Sequence, residues 1–312
     1  MNRPANGLKV VIAGGSGSLG RRIVADLGAR GHDVAILTRR VDPTLPVRQL
    51  RWDGRSVGDW AAELEGTNTA LINLAGKLVD CRPTRRNITA LTESRVLPTR
   101  ALVAASRELK TPLAHWVQAS TTAIWSDAGE IHCDESTPLP TGLPQMTGVA
   151  RRWEEAFEGA NTNHGVILRT SIVLDPDSPA LARLVSLTKW GLGGRIGNGQ
   201  QWFSWIHLSD WLAVVRACLD LTPGVSIPSG VVVAASDHPV RNRDLMGILR
   251  RQLHRPSAPP TPAALLKLGA VVLRSDPALG LTGRHATSKV LQDSGFEFRF
   301  PTLDDALADL LG

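Results

Sequence analysis

The chain has 312 residues, with 35 Lys and Arg against 29 Asp and Glu, 43% apolar residues and a formal net charge of +6, the composition of an ordinary folded protein long enough to bury a real core. No stretch approaches the ~18 apolar residues of a membrane span, Leu265 to Leu273 being the longest candidate, and the basic residues come as dispersed pairs such as Arg39–Arg40 and Arg250–Arg251, where a nucleic-acid-binding chain would gather them. Cys81, Cys133 and Cys218 form no CxxC pair and no apolar signal core follows Met1, so the expected setting is reducing and cytoplasmic.

In chain order, Leu8 to Ala13 is a short apolar run that predicts a buried parallel strand. Ser18 to Arg30 carries Leu19, Ile23, Val24 and Leu27 at helical spacing and stops at Gly31, and Asp33 to Thr38 is the second strand. Further strands are predicted at Val47–Trp52, Thr69–Ala75, Leu113–Ser120 and Val166–Leu174, with helices over Thr84–Leu109 and Gln145–Ala160. This alternation predicts an α/β fold, a Rossmann-type doubly wound parallel sheet, because parallel neighbours need a crossover helix. Beyond Leu174 come a loop at Asp175–Pro179, a helix over Leu181–Trp190 and a glycine-rich stretch at Gly191–Gly199. A strand over Trp202–His207, a helix over Ser209–Leu221 capped by Ser209 or Asp210, a strand at Gly230–Ala235 and a helical tail broken at Arg255–Pro262 complete the chain. Residues 1–174 are read as a nucleotide-binding core, and 175–312 mostly as a small substrate lobe and C-terminal helical region, with some segments returning to the core.

Gly14, Gly15, Ser16, Gly17, Ser18, Leu19 and Gly20 satisfy GxGxxG and GxxGxxG at once. They sit between the first predicted strand and its helix, the context in which glycines let a dinucleotide pyrophosphate approach backbone amides at a helix N-terminus. An NAD enzyme places a carboxylate about 20 residues further on, at the end of the second strand, for the ribose 2′-hydroxyl. Here Thr38, Arg39 and Arg40 occupy that place, and two guanidiniums suit a 2′-phosphate, so NADP(H) is the expected cofactor.

With these residues the chain resembles an extended or atypical short-chain dehydrogenase/reductase, and more narrowly the bacterial family of predicted nucleoside-diphosphate-sugar epimerases, some of which carry a SulA-like label. The resemblance runs end to end, through GGSGSLG, Asn73–Gly76, Glu93-Ser94-Arg95 with Thr99, Gln118-Ala119-Ser120, Trp153-Glu154, the segment Gly199–His207 and the tail Gly295–Leu303. It implies that Trp52 and Asp53 lie beside the adenine, that Leu74, Ala75 and Gly76 line the adenosine side of the cofactor, and that the region after 175 forms a substrate lobe with a homodimer as the generic assembly. The wider superfamily uses a Tyr-x-x-x-Lys pair, and the matching positions here are Met146 and Ala150; the chain contains no tyrosine at all.

Other groups must then serve the chemistry. Ser120, Thr121 and Thr122 match the place where the superfamily polarises a substrate carbonyl. Lys77 follows the fourth strand and is a candidate acid or substrate contact. Trp125 and Met146 are expected to shape the substrate pocket, and Arg195, Gln200 and Trp202 to form an aromatic, basic wall for a ring-bearing or phosphorylated substrate. His132, Cys133 and Glu135 match no zinc spacing, so no metal is expected. The expected activity is reduction of a small carbonyl compound; a catalytically silent NADP(H)-binding redox sensor and a nucleotide-sugar epimerase are the alternatives.

Overall fold

The computed structural model describes residues 7–266 and 276–312, so most of the apolar run Leu265–Leu273 lies outside the described residues. In strand β1 (Lys9–Ala13), Val10 and Ile12 enter one hydrophobic core and Val11 and Ala13 another. That is why the run carries no polar alternation: both faces of the strand are covered. Helix α1 (Ser18–Ala29) follows, then β2 (Asp33–Thr38), β3 (Arg48–Arg51), β4 (Thr69–Asn73), α2 (Arg85–Arg107), β5 (Leu113–Thr121), the short β6 (His132–Cys133), α3 (Val149–Glu155), β7 (Thr162–Thr170) and β8 (Ile172–Leu174). The second half adds α4 (Pro179–Lys189), β9 (Trp202–Phe203), β10 (Trp205–His207), α5 (Leu208–Cys218), β11 (Gly230–Ala234), β12 (Val240–Arg241) and α6 (Asn242–Gln252).

Seven strands form one parallel sheet in the order β3-β2-β1-β4-β5-β7-β11, the predicted Rossmann-type arrangement. Ile23 and Leu27 of α1 and Trp211 and Val214 of α5 pack on one face; Ala101, Leu102 and Ala105 of α2 pack on the other. Strand order reverses between β1 and β4, and the crevice beyond the carboxyl ends of those strands is where such sheets bind ligands. A separate core built from Leu174, Leu181, Trp205, Leu245, Leu249, Phe300 and Leu303 joins α4 and α6 to the last helix, Leu303–Leu311. The chain does not leave the sheet for good at residue 174: α5 lies on its face, with Arg216 gripping Asp26 of α1 through both carboxylate oxygens at 2.7 Å, and β11 is its edge strand. Among the described residues no helix is long and apolar enough to cross a membrane.

Several predicted elements differ in detail. The strand expected over Val166–Leu174 breaks at Ser171, whose N–H and hydroxyl both donate to the Ala234 carbonyl at 3.0 and 2.8 Å. This tie to the edge strand ends β7 and frees β8 to pair with β10 instead. Trp202–His207 likewise splits at Ser204, with β9 antiparallel to β12. The helix expected over Gln145–Ala160 begins as a π-turn at Pro144–Gly148 and is α-helical only over Val149–Glu155. The N-cap of α5 is His207, whose Nδ1 accepts the Ser209 N–H at 3.1 Å. Asp210 instead accepts the backbone N–H groups of Arg299 and Phe300, at 2.8 and 3.0 Å, and anchors the tail to the core. That tail is not purely helical, since His285–Ala286 forms a strand, β13, beside β6.

Candidate functional site

On the β1/β4 side the site is made of backbone. Gly14 has φ +80, and a Cβ there would lie 2.9 Å from the Leu74 carbonyl, so the loops after β1 and β4 touch. A Cβ on Gly15 would sit 2.4 Å from Ile36 Cγ2, and one on Gly20 would sit 2.5 Å from the Gly14 oxygen. The Gly17 N–H closes the turn onto the Gly14 carbonyl at 3.0 Å, and Gly17, as the N-cap of α1, leaves the helix start with no side-chain cap. Its opening turn, with Ser16 and Leu19 half-buried and Ser18 exposed, thus presents main chain to any anion bound there.

At the end of β2, the buried Thr38 donates its hydroxyl to the Arg40 carbonyl at 2.8 Å and bends the chain outward. Arg39 and Arg40 are exposed and have no ion-pair partner among the described residues, whereas Arg21 is engaged with Asp42 at 3.1 Å and with the Ser16 carbonyl. Trp52 is buried edge-on against Trp60, ring centroids 5.3 Å apart. Asp53 is exposed, and its carboxylate accepts the N–H groups of Arg55 and Ser56 and the Ser56 hydroxyl, bonds that hold its pKa down at about 2. It is therefore committed to its own turn.

The loop after β4 is set by Asn73, fully buried, whose amide donates to Thr99 and Gln118 at 2.9 Å each while its oxygen accepts the Ala75 N–H at 3.1 Å. Leu74, half-buried, and Ala75, buried, are fixed by this network, and Gly76 is exposed against the Arg95 guanidinium. Lys77 has an exposed side chain; its backbone does the binding here, with N–H to Ser94 Oγ at 3.0 Å and carbonyl to Arg95 at 2.9 Å. Arg95 itself is buried over the Trp153 ring, and burial pulls its pKa down to about 10.

On the β5/β7 side the site is made of side chains from distant parts of the chain. Ser120 donates its hydroxyl to Glu154 Oε1 at 2.5 Å, and Glu154 is gripped by Arg169 through Nε and NH2 at 2.9 and 2.8 Å. Arg169 lies over the Trp125 ring at 5.0 Å. The Ser120 proton is thus already in use. Thr121 differs: its Oγ1 accepts the Ala123 N–H at 3.1 Å, which leaves its own hydroxyl proton to donate. Thr122 is buried. Trp125 is buried with its N–H on the Thr137 carbonyl, and Met146 is buried with its sulfur 3.8 Å from an Arg284 nitrogen.

Arg195 and Gln200 are exposed; the Arg195 side chain donates to the Asn198 carbonyl and the Gln200 N–H to the Asn198 side chain, while their carbonyls accept the Thr261 N–H and the Arg241 guanidinium at 2.8 and 2.6 Å. Trp202 has the Arg241 guanidinium over its ring, 3.8 Å from the centroid, and the His285 ring stacked on it at 4.1 Å, so its indole is occupied by protein. The Trp202 carbonyl accepts the Arg284 N–H at 3.3 Å, and Arg284 reaches the loop after β5, so Met146 and Trp202 meet at this arginine. Sequence reading did not single out Arg169 or Arg284 and treated Arg95 and Glu154 only as marks of resemblance. An arginine inside the apolar strand segment Val166–Thr170 was a legible anomaly, since a charge there demands a buried partner; nothing in spacing indicates Arg284.

Residues 10–226 match the NAD dependent epimerase/dehydratase family, and residues 261–310 match a domain of unknown function, DUF1731. The chain is 30% identical to the chloroplastic epimerase family protein SDR39U1 homolog of Arabidopsis thaliana, covering 97% of this chain and 87% of that protein. Among solved structures, human epimerase family protein SDR39U1 with NADPH superposes with a TM-score of 0.81 at 24% identity, covering 97% of this chain and 99% of that one. A nucleoside-diphosphate sugar epimerase from Corynebacterium glutamicum gives 0.76 at 27% identity, covering 98% of this chain and 58% of its own.

Proposed function

The chain belongs to the NAD dependent epimerase/dehydratase family, and we propose that it is an NADP(H)-dependent reductase of a small carbonyl compound. The observation that carries the cofactor choice is the end of β2: two exposed arginines without carboxylate partners among the described residues stand where a ribose diol would need an acceptor. The glycine turn, packed so closely that a Cβ on Gly14, Gly15 or Gly20 would strike Leu74, Ile36 or the Gly14 oxygen, presents bare main chain at the start of α1 that suits a pyrophosphate, and the human relative solved with NADPH supports the same choice. When bound, the cofactor supplies the hydride. Thr121, with its hydroxyl proton unspent, donates to the substrate carbonyl oxygen, while Ser120, Glu154 and Arg169 hold the end of β5 in place. The proton comes from water or from Lys77, whose side chain is exposed.

Redox-neutral epimerisation needs a group that takes and returns a hydroxyl proton, and a chain without tyrosine lacks the superfamily's group for it. A silent NADP(H)-binding sensor is the second reading, favoured by the burial of Met146 and Trp125 beside the end of β5. Calorimetric titration with NADPH, followed by a stopped-flow screen of NADPH oxidation against ketones, enals and nucleotide sugars, separates the readings. Micromolar binding with oxidation by one class is the expected result; equally tight binding with no oxidation anywhere makes the protein a sensor.

A further inference from the structure

Guanidiniums that enter the body of this protein are as a rule paired with carboxylates: Arg169 with Glu154, Arg216 with Asp26, Arg22 with Asp175. Arg284 breaks the rule. Its Nε donates to the Ser126 carbonyl at 2.7 Å and its NH2 to Thr282 Oγ1 at 2.9 Å and, weakly, to the Met146 sulfur at 3.8 Å. NH1 has no partner among the described residues, and no carboxylate there lies within ion-pairing distance. Asp127, the carboxylate whose charge it feels, instead accepts the Gly283 N–H at 3.1 Å. The Cys133 thiol supplies no counter-charge either, because burial pushes its pKa up to about 11.

Part of the Arg284 side chain reaches solvent, yet its guanidinium is packed deeply enough that burial pulls its pKa down to about 10. It remains charged at neutral pH. Its aim is fixed by the chain around it: a Cβ on Gly283 would lie 2.4 Å from the Trp202 N, so the segment is wedged against β9. The guanidinium is thereby delivered to Ser126, just past the 3-10 turn Thr122–Trp125 that follows Thr121 at the carboxyl end of β5. A guanidinium with no ion-pair partner among the described residues, held in a fixed fork at such an edge, has the geometry to receive an oxyanion. Arg95, the other cation pulled down by burial, is a weaker case. Its NH1 and NH2 are both taken by the carbonyls of Leu91 and Lys77, and it lies against Gly76 on the cofactor side.

We propose that Arg284 anchors an oxyanion of the substrate, a carboxylate or phosphate carried by the carbonyl compound that Thr121 polarises. The proposal deepens the reductase reading and rests on it for the carbonyl. The anion site can be tested without turnover. The protein is titrated calorimetrically, with and without NADPH, against levulinate, inorganic phosphate and the neutral methyl levulinate. Levulinate or phosphate should bind, and which of the two binds tighter tells carboxylate from phosphate; methyl levulinate should bind at least tenfold more weakly.

Arg284→Met should lose anion binding at least tenfold, with Arg284→Lys restoring part of it. Because Arg284→Met also strips bonds from the Ser126 carbonyl and Thr282, Met146→Glu is the second variant. It keeps those bonds and sets a carboxylate against the guanidinium, and it should suppress anion binding to the same degree. The proposal is overturned if the wild type binds neither anion, if the ester binds as well as levulinate, or if Met146→Glu leaves anion affinity unchanged. Failure of NADPH to bind the wild type would sink the reductase reading alone, since the titration without cofactor still decides the anion site.

Discussion

The two sides of the sheet's carboxyl edge are built in opposite ways. Between β1 and β4 the working surface is main chain: Gly14, Gly15 and Gly20 lie within a few residues of one another, and what matters is the side chains they lack. Beyond β5 and β7 the surface is side chain, and Ser120, Glu154 and Arg169 come from three separate stretches to bond one another. A site of the first kind tolerates change around it but not in it. A site of the second kind is a network of buried polar groups in which each member is satisfied only by the others, so removing one leaves a partner stranded.

The sharpest test of that contrast is Glu154→Ala. Arg169 would be left buried and unpaired, and the expected loss of about 3–5 kcal/mol in unfolding free energy is read by denaturant titration; a loss below about 1 kcal/mol would mean that the pair contributes no more than a surface one. Next is the double substitution Arg39→Asp with Arg40→Ser, expected to weaken NADPH binding by about 2–4 kcal/mol while barely moving NADH or the unfolding midpoint. Equal weakening of both cofactors would remove the 2′-phosphate assignment. Thr121→Val comes third: it should lower kcat about a hundredfold to a thousandfold for the carbonyl compound identified by the screen, with cofactor affinity unchanged, and an unaltered kcat would exclude Thr121 as the polarising donor.

The smallest effect belongs at the opposite end of β5 and β7, where His115 and His164 meet Nδ1 to Nδ1 at 3.2 Å. Burial, with the neighbouring His164, lowers the pKa of His115 below its ordinary 6.5. The unfolded chain therefore takes up the proton first as pH falls, and stability declines below about pH 6.5 toward the lower folded-state pKa. Above that range the term is constant. His115→Phe should flatten this acid limb in a series of thermal melts, and an unchanged limb would place the pH dependence elsewhere.

The glycine cleft was legible because everything it needs is local. A strand, a tight turn and a helix start are neighbours in the chain, and glycine at Gly14, Gly15, Gly17 and Gly20 reports directly on backbone approach. The position of Arg39 and Arg40 was legible for the same reason, as the end of β2 lies a fixed distance along the chain from that turn. Ser120, Thr121 and Thr122 could be placed at the end of a strand, but not told apart. Only the approach of Glu154, 34 residues later, shows that Ser120 has spent its proton, and only the Ala123 N–H shows that Thr121 has not.

The amino-acid sequence by itself determined the alternation of strand and helix, the parallel sheet that follows from it, and a closely packed glycine turn at the first crossover. Those properties rest on hydrophobic period and backbone freedom, which act over a few residues. The tertiary structure alone decided where the strands break, at Ser171 and Ser204, because each break is made by hydrogen bonds to another part of the chain. It alone also decided that Trp202 is covered by Arg241 and His285, and that Arg284 arrives at the loop after β5 without a counter-ion. Charge pairing in a protein interior is settled by which side chains meet in space, and sequence distance carries no record of it.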